Sequence, residues 1–469
     1  MRNPIRIAVG LAALVGFAAC VPVHPPPPPP PSPPPSFGSM HVGWQMSNIN
    51  GPVAADPAEN LLWAVNKGAD QLDELNATSG AVTTRGSISL DSNQHFPTPA
   101  VTPNWVFVES SNHVAAFSTP AAPTTTSWVS TALDGSVVSR PLPVNSIVVV
   151  ATENDSLYGL NVADGTIAWG PINGTTTAAA AGFGPPETLA HLHTLPQSSC
   201  GDLDPLGVTS NLVLDNGVAY AVGEVQTGTT NTDFPVHKLI GINPATGAVT
   251  LGPHVVDPST MNPTQTEQQR AGLVATNNRV YIGFGGLAGD CGTYHGWLVA
   301  ANESDGSIAA DLEIAPAPAN AAAIWGTSGP IADSSHNVYA STGNAFNDPS
   351  SGTDYSDAVV NMGASMSGHN TVPTDFFQPT EWKTDNNNDA DLGSAGPAFV
   401  SSTQLFILGK QHNAFLLNLS SLGGSNHETP AARLNGACSG EVFGQNAFLS
   451  STNAVYIACS NGITQILLS

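Results

Sequence analysis

The sequence predicts an all-β protein, a closed ring of eight small antiparallel sheets. Three observations predict it. A unit of short strands and tight turns, clearest at Val148–Gly170, recurs at a similar period from about residue 40 to the end. The chain holds 46 Gly and 39 Pro with only 10% charged residues, a composition for strands and turns, and no long segment has a 3.6-residue period. The last unit is one strand short, and the first has a strand to spare. A ring joined through that spare strand is an eight-bladed β-propeller. Seven blades is the fallback, and a solenoid leaves the spare strand unexplained.

The N-terminus precedes the ring and is read as a targeting segment. Arg2 and Arg6 are basic, and Ile7–Ala19 is apolar but short for a membrane span. Phe17-Ala18-Ala19-Cys20 resembles a bacterial lipobox, which implies residues 1–19 as signal peptide and a diacylated Cys20 as the mature N-terminus. More than one acyl chain makes a stable membrane anchor. Residues 20–38 form a proline-rich spacer. Pro25–Pro35 stays extended at about 3.1 Å per residue and so reaches roughly 34 Å. Residues 39–469 form the propeller.

The repeat is best seen in the third unit. Ile147–Ala151 is a β-branched run for a buried strand. Ser156–Leu160 alternates apolar and polar residues. Thr166–Trp169 follows the turn Ala163-Asp164-Gly165, where glycine accepts the positive φ of a tight hairpin. Such a sheet cannot bury both faces alone, so units must stack. Unit 1 runs from Gly51-Pro52-Val53 through Leu61–Val65 and Gln71–Leu75 to Gly80. Unit 2 has Thr98-Pro99-Ala100, Trp105–Val108 and His113–Phe117. Arg140-Pro141-Leu142 leads unit 3. Unit 4 has Ser210–Val213, Ala219–Val222 and Lys238–Ile242, and unit 5 has Gly272–Val274, Arg279–Gly283 and Gly296–Ala300. Gly329-Pro330-Ile331 opens unit 6, Gly396-Pro397-Ala398 opens unit 7 and Gln445–Phe448 opens unit 8. Ser39–Trp44 is the expected closing strand. Insertions are read at Pro171–Pro205, Glu224–Pro235, Gly285–His295, Phe346–Asp357 and Gly363–Gly393, and insertions in such rings build binding surface on one face.

The unit at Val148–Gly170 resembles the pyrroloquinoline-quinone (PQQ) repeat of quinoprotein dehydrogenases and their cofactor-free relatives. Longer stretches resemble successive motifs of bacterial secreted PQQ-like propeller proteins: Cys200–Val208, Gln269–Leu273, Cys291–Trp297, Ile324–Pro330, Ser341–Asn344, Tyr355–Asp357, Asp375–Pro379, Asp389–Ser394 and Leu408–Lys410. The resemblance implies the propeller fold, and for a quinoprotein it implies PQQ with calcium.

Five cysteines are present. With Cys20 assigned to lipid, Cys200, Cys291, Cys438 and Cys459 remain, an even set in an exported chain that points to disulfides. Three pairings are possible. The expected pairs are Cys200–Cys291, joining two insertions, and Cys438–Cys459, a clamp within the last blade.

PQQ is a planar tricarboxylate, so its site needs cations, an aromatic floor and a base. Arg270 and Lys410 are the candidate cations and Trp325 the candidate floor. Asp389 or Asp391 is the candidate base. Asp385, Asn387, Asp389 and Asp391 place oxygens at alternate positions, as a calcium loop does, although Ala390 and Gly396 stand where an EF-hand requires Gly and Glu. Each has a structural alternative: packing for Trp325, pairing with acidic neighbours for Arg270 and Lys410, and a polar turn for the aspartates. His191 and His193 would share one face of a strand, with Glu187 nearby, but no third ligand follows. The adjacent cysteine pair of alcohol-oxidising quinoproteins, a CxxCH haem motif, HExxH, GxSxG and a P-loop are absent.

The formal charge of −24 repels nucleic acid and anionic lipid head groups. The expected protein is a monomeric, lipid-anchored, extracytoplasmic propeller that binds or scaffolds a protein or glycan partner at its rim. This resembles the propeller lipoprotein of the outer-membrane-protein assembly machine. The rivals are a PQQ- and calcium-dependent oxidoreductase acting on small alcohols or sugars, and a carbohydrate-binding surface propeller.

Overall fold

Eight antiparallel sheets pack side by side in a closed ring in the computed structural model, which describes residues 36–83, 88–90, 98–119, 127–173, 182–347 and 354–469. The expected signal segment, Cys20 and the polyproline run lie outside the described residues. Each blade is an up-and-down meander. In blade 3, Leu142–Val144 is innermost, followed by Ile147–Thr152, Ser156–Asn161 and Ile167–Ile172. Ile147 pairs with Asn161 and Thr152 with Ser156, so the two central strands match end to end. In blade 5 the innermost strand is split, with Glu267–Gln268 and Val274–Thr276 both pairing with Arg279–Gly286.

The ring closes through the spare strand. Met40–Ser47 lies antiparallel against Gly462–Leu468, from Met40 opposite Leu468 to Ser47 opposite Gly462, and forms the outermost strand of blade 8. One insertion is corrected. Gly363–Gly393 contains Asp375–Phe377, which pairs with Val359–Met362 as the outermost strand of blade 6. Its apolar Phe376-Phe377 faces demand burial, and a sheet edge supplies it.

The core is eight interblade layers rather than one central mass. Tyr281 and Leu298 of blade 5 meet Val338 and Val360 of blade 6. Tyr456 and Ile463 of blade 8 meet Leu62 and Val53 of blade 1, which closes the circle. Alternation explains this arrangement: in a strand, neighbouring side chains point to opposite faces, and both faces of a blade are covered. That is why the central strands are continuous apolar runs, all six residues of Ile147–Thr152 being buried. Each such side chain contributes about 1.5–3 kcal/mol relative to exposure.

The turn glycines of the repeat have a second use. Trp169, on the outer strand of blade 3, donates its indole N–H to Pro244 O at 3.0 Å and covers Gly247 (φ +71°), where a Cβ would strike the ring. Trp128 lies likewise over Gly165 and Trp44 over Gly80, bonding to Val162 O at 2.8 Å and Ala77 O at 3.2 Å. Each tryptophan thus fastens its blade to the next.

Candidate functional site: the loop-bearing face and its acidic cavity

Meander connectivity sorts the loops. Turns between first and second strands, such as 145–146, 216–217 and 277–278, are short and open on one face. Loops between second and third strands, and those linking blades, open on the other. The long segments 173–212, 226–235, 287–296, 314–330, 378–397 and 435–446 are all of this second kind. Both disulfides belong there too. Cys200 is bonded to Cys291 with Cα atoms 5.9 Å apart, and Cys438 to Cys459 with Cα atoms 6.1 Å apart. The first ties the segment entering blade 4 to a loop of blade 5. The second ties the segment entering blade 8 to the end of that blade's second strand.

A cavity of about 240 Å³ lies on this face. Arg270, Trp325, Asp389, Asp391 and Lys410, chosen from sequence far apart, all line it. Lys410 is central. Its ammonium lies 2.7 Å from Asp391 Oδ2 and 3.0 Å from Asp389 Oδ1. It also sits 5.4 Å from the Trp325 ring centroid and 5.8 Å from that of Phe443, within reach of a cation–π interaction. Trp325 donates its indole N–H to Asp391 Oδ1 at 2.8 Å. Asp391 is buried. Burial raises its pKa, and Lys410 and Trp325 act against that rise. Beneath it, buried Asp357 accepts the Leu392 N–H at 3.0 Å, and burial, then the charge of Asp391, pushes its pKa well above the usual range.

Arg270 is the other cation of the lining. Burial lowers its pKa and Asp202 counters this. The pKa of Lys67 is lowered by burial and then by the charge of Arg270, against which Glu109 acts. Asp202, Asp290, Tyr294 and Phe443 also line the cavity, with the Tyr294 hydroxyl donating to Asp290 Oδ1 at 2.7 Å. Sequence reasoning did not select these four. Asp202, Asp290 and Tyr294 flank Cys200 and Cys291, so the cysteines were their available signal. Phe443 carried none.

The calcium candidates are not brought together as a set. Trp382–Asn387 is a helix, because its residues tolerate one and nothing in them forces a loop. Asp385 is buried and accepts the Asn388 N–H only through its backbone, while Asn387 donates its amide to Lys383 O at 2.7 Å. Asp389 and Asp391 face Lys410. Among the described residues no group of three or more His, Cys, Asp or Glu is arranged to hold a metal ion.

The cavity does not fit a tricarboxylate such as PQQ. Its two cations are outnumbered by Asp202, Asp290, Asp389 and Asp391, and the Lys410 ammonium already bonds two carboxylates. It can instead accept hydroxyl-rich or cationic groups, through carboxylate acceptors and the Trp325 and Phe443 faces.

The histidine reading is corrected. Leu189–Leu192 is a short helix capped by Thr188, not a strand. Buried His191 lies 2.9 Å from Glu187 Oε1 and 3.0 Å from Thr230 O, while His193 is exposed. The helix forms because the Thr188 hydroxyl accepts the His191 N–H, a cap that outweighs any two-residue alternation.

The sequence matches the family model described as outer membrane protein assembly factor BamB over residues 122–285. No curated protein matches it. Among solved structures, BamB from Moraxella catarrhalis is similar at TM-score 0.53 and 12% identity, covering 91% of this chain and 99% of that one. The C-terminal WD40 domain of Sif2 is similar at TM-score 0.53 and 10% identity, covering 93% of this chain and 100% of that one. At such identities the likeness is one of fold. With its matched repeat and its closed ring of eight blades, the chain fits a PQQ-like β-propeller protein.

Proposed function

We propose that this protein is a lipid-anchored binding or scaffolding module of the bacterial cell envelope, and that it engages a protein or glycan partner through its loop-bearing face. One observation carries the reading: the long loops, both disulfides and the aromatic acidic cavity all belong to that face. Among the described residues, the exposed phenylalanines are Phe234, 43% exposed, and Phe346, 39% exposed. Both sit on loops of the same face, and exposed aromatics anchor interfaces. The name of the matched family, an outer membrane protein assembly factor, supports an envelope role. The charge of −24 favours a partner surface that is basic or rich in hydroxyls.

Photo-crosslinking groups placed at positions 234 and 346 on living cells test this. The expected result is one adduct of defined mass from both positions, and none from positions 129 and 255 on outer strands. A glycan partner would appear instead as retention on envelope polysaccharide, lost in Phe234→Ser with Phe346→Ser. Equal labelling from outer strands, or no adduct and no retention, overturns the reading. The quinoprotein rival has its own test. Titration with PQQ and Ca²⁺ is expected to leave the melting temperature unchanged. A rise abolished by Arg270→Gln would favour the rival.

A further inference from the structure

Two residues of the repeat break its rule. The position two residues before each innermost strand is Gly51, Gly272, Gly329 or Gly396 in four blades, and Thr98 or Asn211 in two more. Small residues are needed because inner strands crowd together here. A Cβ on Gly329 would overlap the Gly272 carbonyl oxygen, and one on Gly396 would overlap Ser328 Oγ. Asn211 uses the crowding, accepting the Arg140 N–H at 2.7 Å and donating to Thr327 O at 2.6 Å. In blade 3 the position holds Arg140, and in blade 8 it holds Gln445.

Arg140 and Gln445 belong to blades that are not neighbours, yet their side chains meet. The guanidinium Nη1 lies 3.5 Å from Gln445 Oε1, the one side-chain bond it makes among the described residues, and a long one. Both line a cavity of about 410 Å³ with Thr98 and with apolar residues of the innermost strands, among them Val53, Leu142 and Phe448. It shares no residue with the acidic cavity. Among the described residues no carboxylate pairs with Arg140. Burial lowers its pKa and no partner raises it, but an arginine stays charged regardless. A partly buried guanidinium that meets only one long side-chain hydrogen bond among the described residues keeps its planar fork of N–H groups turned to the cavity, and such a fork suits an oxyanion.

We propose that this inner cavity is a binding site for a small oxyanion, a carboxylate or a phosphate, held by the Arg140 guanidinium and the Gln445 amide. The apolar walls accommodate a short hydrocarbon tail and so favour an organic carboxylate. The charge balance agrees: the chain has 11 Lys and Arg against 35 acidic residues, yet leaves this cation without a carboxylate.

The test uses the full-length protein with sodium butyrate and inorganic phosphate as probes, each compared with sodium chloride at equal ionic strength. Calorimetry and melting temperature are read together. At least one oxyanion is expected to bind and raise the melting temperature, and Arg140→Gln should weaken that binding tenfold or more. Arg140→Lys should keep part of it. Butyrate alone identifies a carboxylate site, phosphate alone a phosphate site, and both a general oxyanion site. Should Arg140→Gln fail to fold, Gln445→Leu is expected to weaken binding severalfold and serves in its place. Binding of neither probe by the wild type, or unchanged binding in the variants, overturns the proposal.

Discussion

Lys410 shows how a single cation organises a cavity. Its ammonium, 11% exposed, neutralises Asp391, which is 2% exposed, and also holds Asp389. Removing one partner of such a pair leaves a buried charge uncompensated. Lys410→Met is therefore expected to cost about 3 kcal/mol, read as a lower urea midpoint. Adding Asp391→Asn should recover much of that loss, because it removes the orphaned charge and keeps an oxygen for the Trp325 indole. A loss the second change does not relieve would mean that Lys410 acts by packing its stem against Trp325 and Phe443. The residues of this cavity were legible one by one, as rare cations, a tryptophan in a glycine-rich turn and clustered aspartates. Their roles were left between two readings, a cofactor cation or a partner of acidic neighbours for Lys410, and the pairing with Asp389 and Asp391 is visible only where the loops meet.

Strands and loops divide the labour. The Asp-Gly and Thr-Gly turns were legible as hairpin signals, and the tryptophans that cover those glycines were not. A tryptophan docks on the next blade, a contact far away in sequence. The Cys200–Cys291 bridge acts at the same level, fixing two loops of the binding face across a separation of 91 residues. Closing so long a loop restricts the unfolded chain by about 4.6 kcal/mol in the chain-entropy account. Replacing both cysteines by serine should lower the melting temperature by several degrees and reduce partner capture at positions 234 and 346. Unchanged stability would show that the loops hold each other without the bridge.

The ring as a whole depends on its closing strand and on its acidity. A chain beginning at Asn48 lacks Met40–Ser47 and exposes the edge of Gly462–Leu468. It is expected to lose cooperative unfolding and to aggregate through that edge, whereas a chain beginning at Ser36 should melt as one unit. Size-exclusion chromatography and calorimetry separate the two. Acidity sets the pH response. Burial pushes Glu109, Asp155, Glu267 and Asp357 well above the usual carboxyl range, so the folded state binds more protons than the unfolded one. His237 is also raised, to about 10: burial lowers it, but Asp257 and Glu224 outweigh that. Stability from these groups is full below their unfolded values, near pH 4 for the carboxyls and about 6.5 for histidine. It falls as pH rises through the folded values. The melting temperature should therefore be highest near pH 4 and decline toward pH 9. A rise across that interval would contradict the burial of these acids.

Period, turn chemistry and a missing strand were enough to predict an eight-bladed ring, because each blade is encoded locally and a repeated unit has few ways to stack. The even cysteine set and the position of each cysteine among the units likewise led to the pairs that form. What only the tertiary structure decided is where distant units converge. Lys410 reaches Asp391 and Trp325, and Arg140 crosses the axis to Gln445, through contacts between loops and blades whose sequence separations obey no period. The short helix capped by Thr188 stands where alternation had suggested a strand for the same reason. A few polar residues fit several local conformations, and the blades packed around them select one.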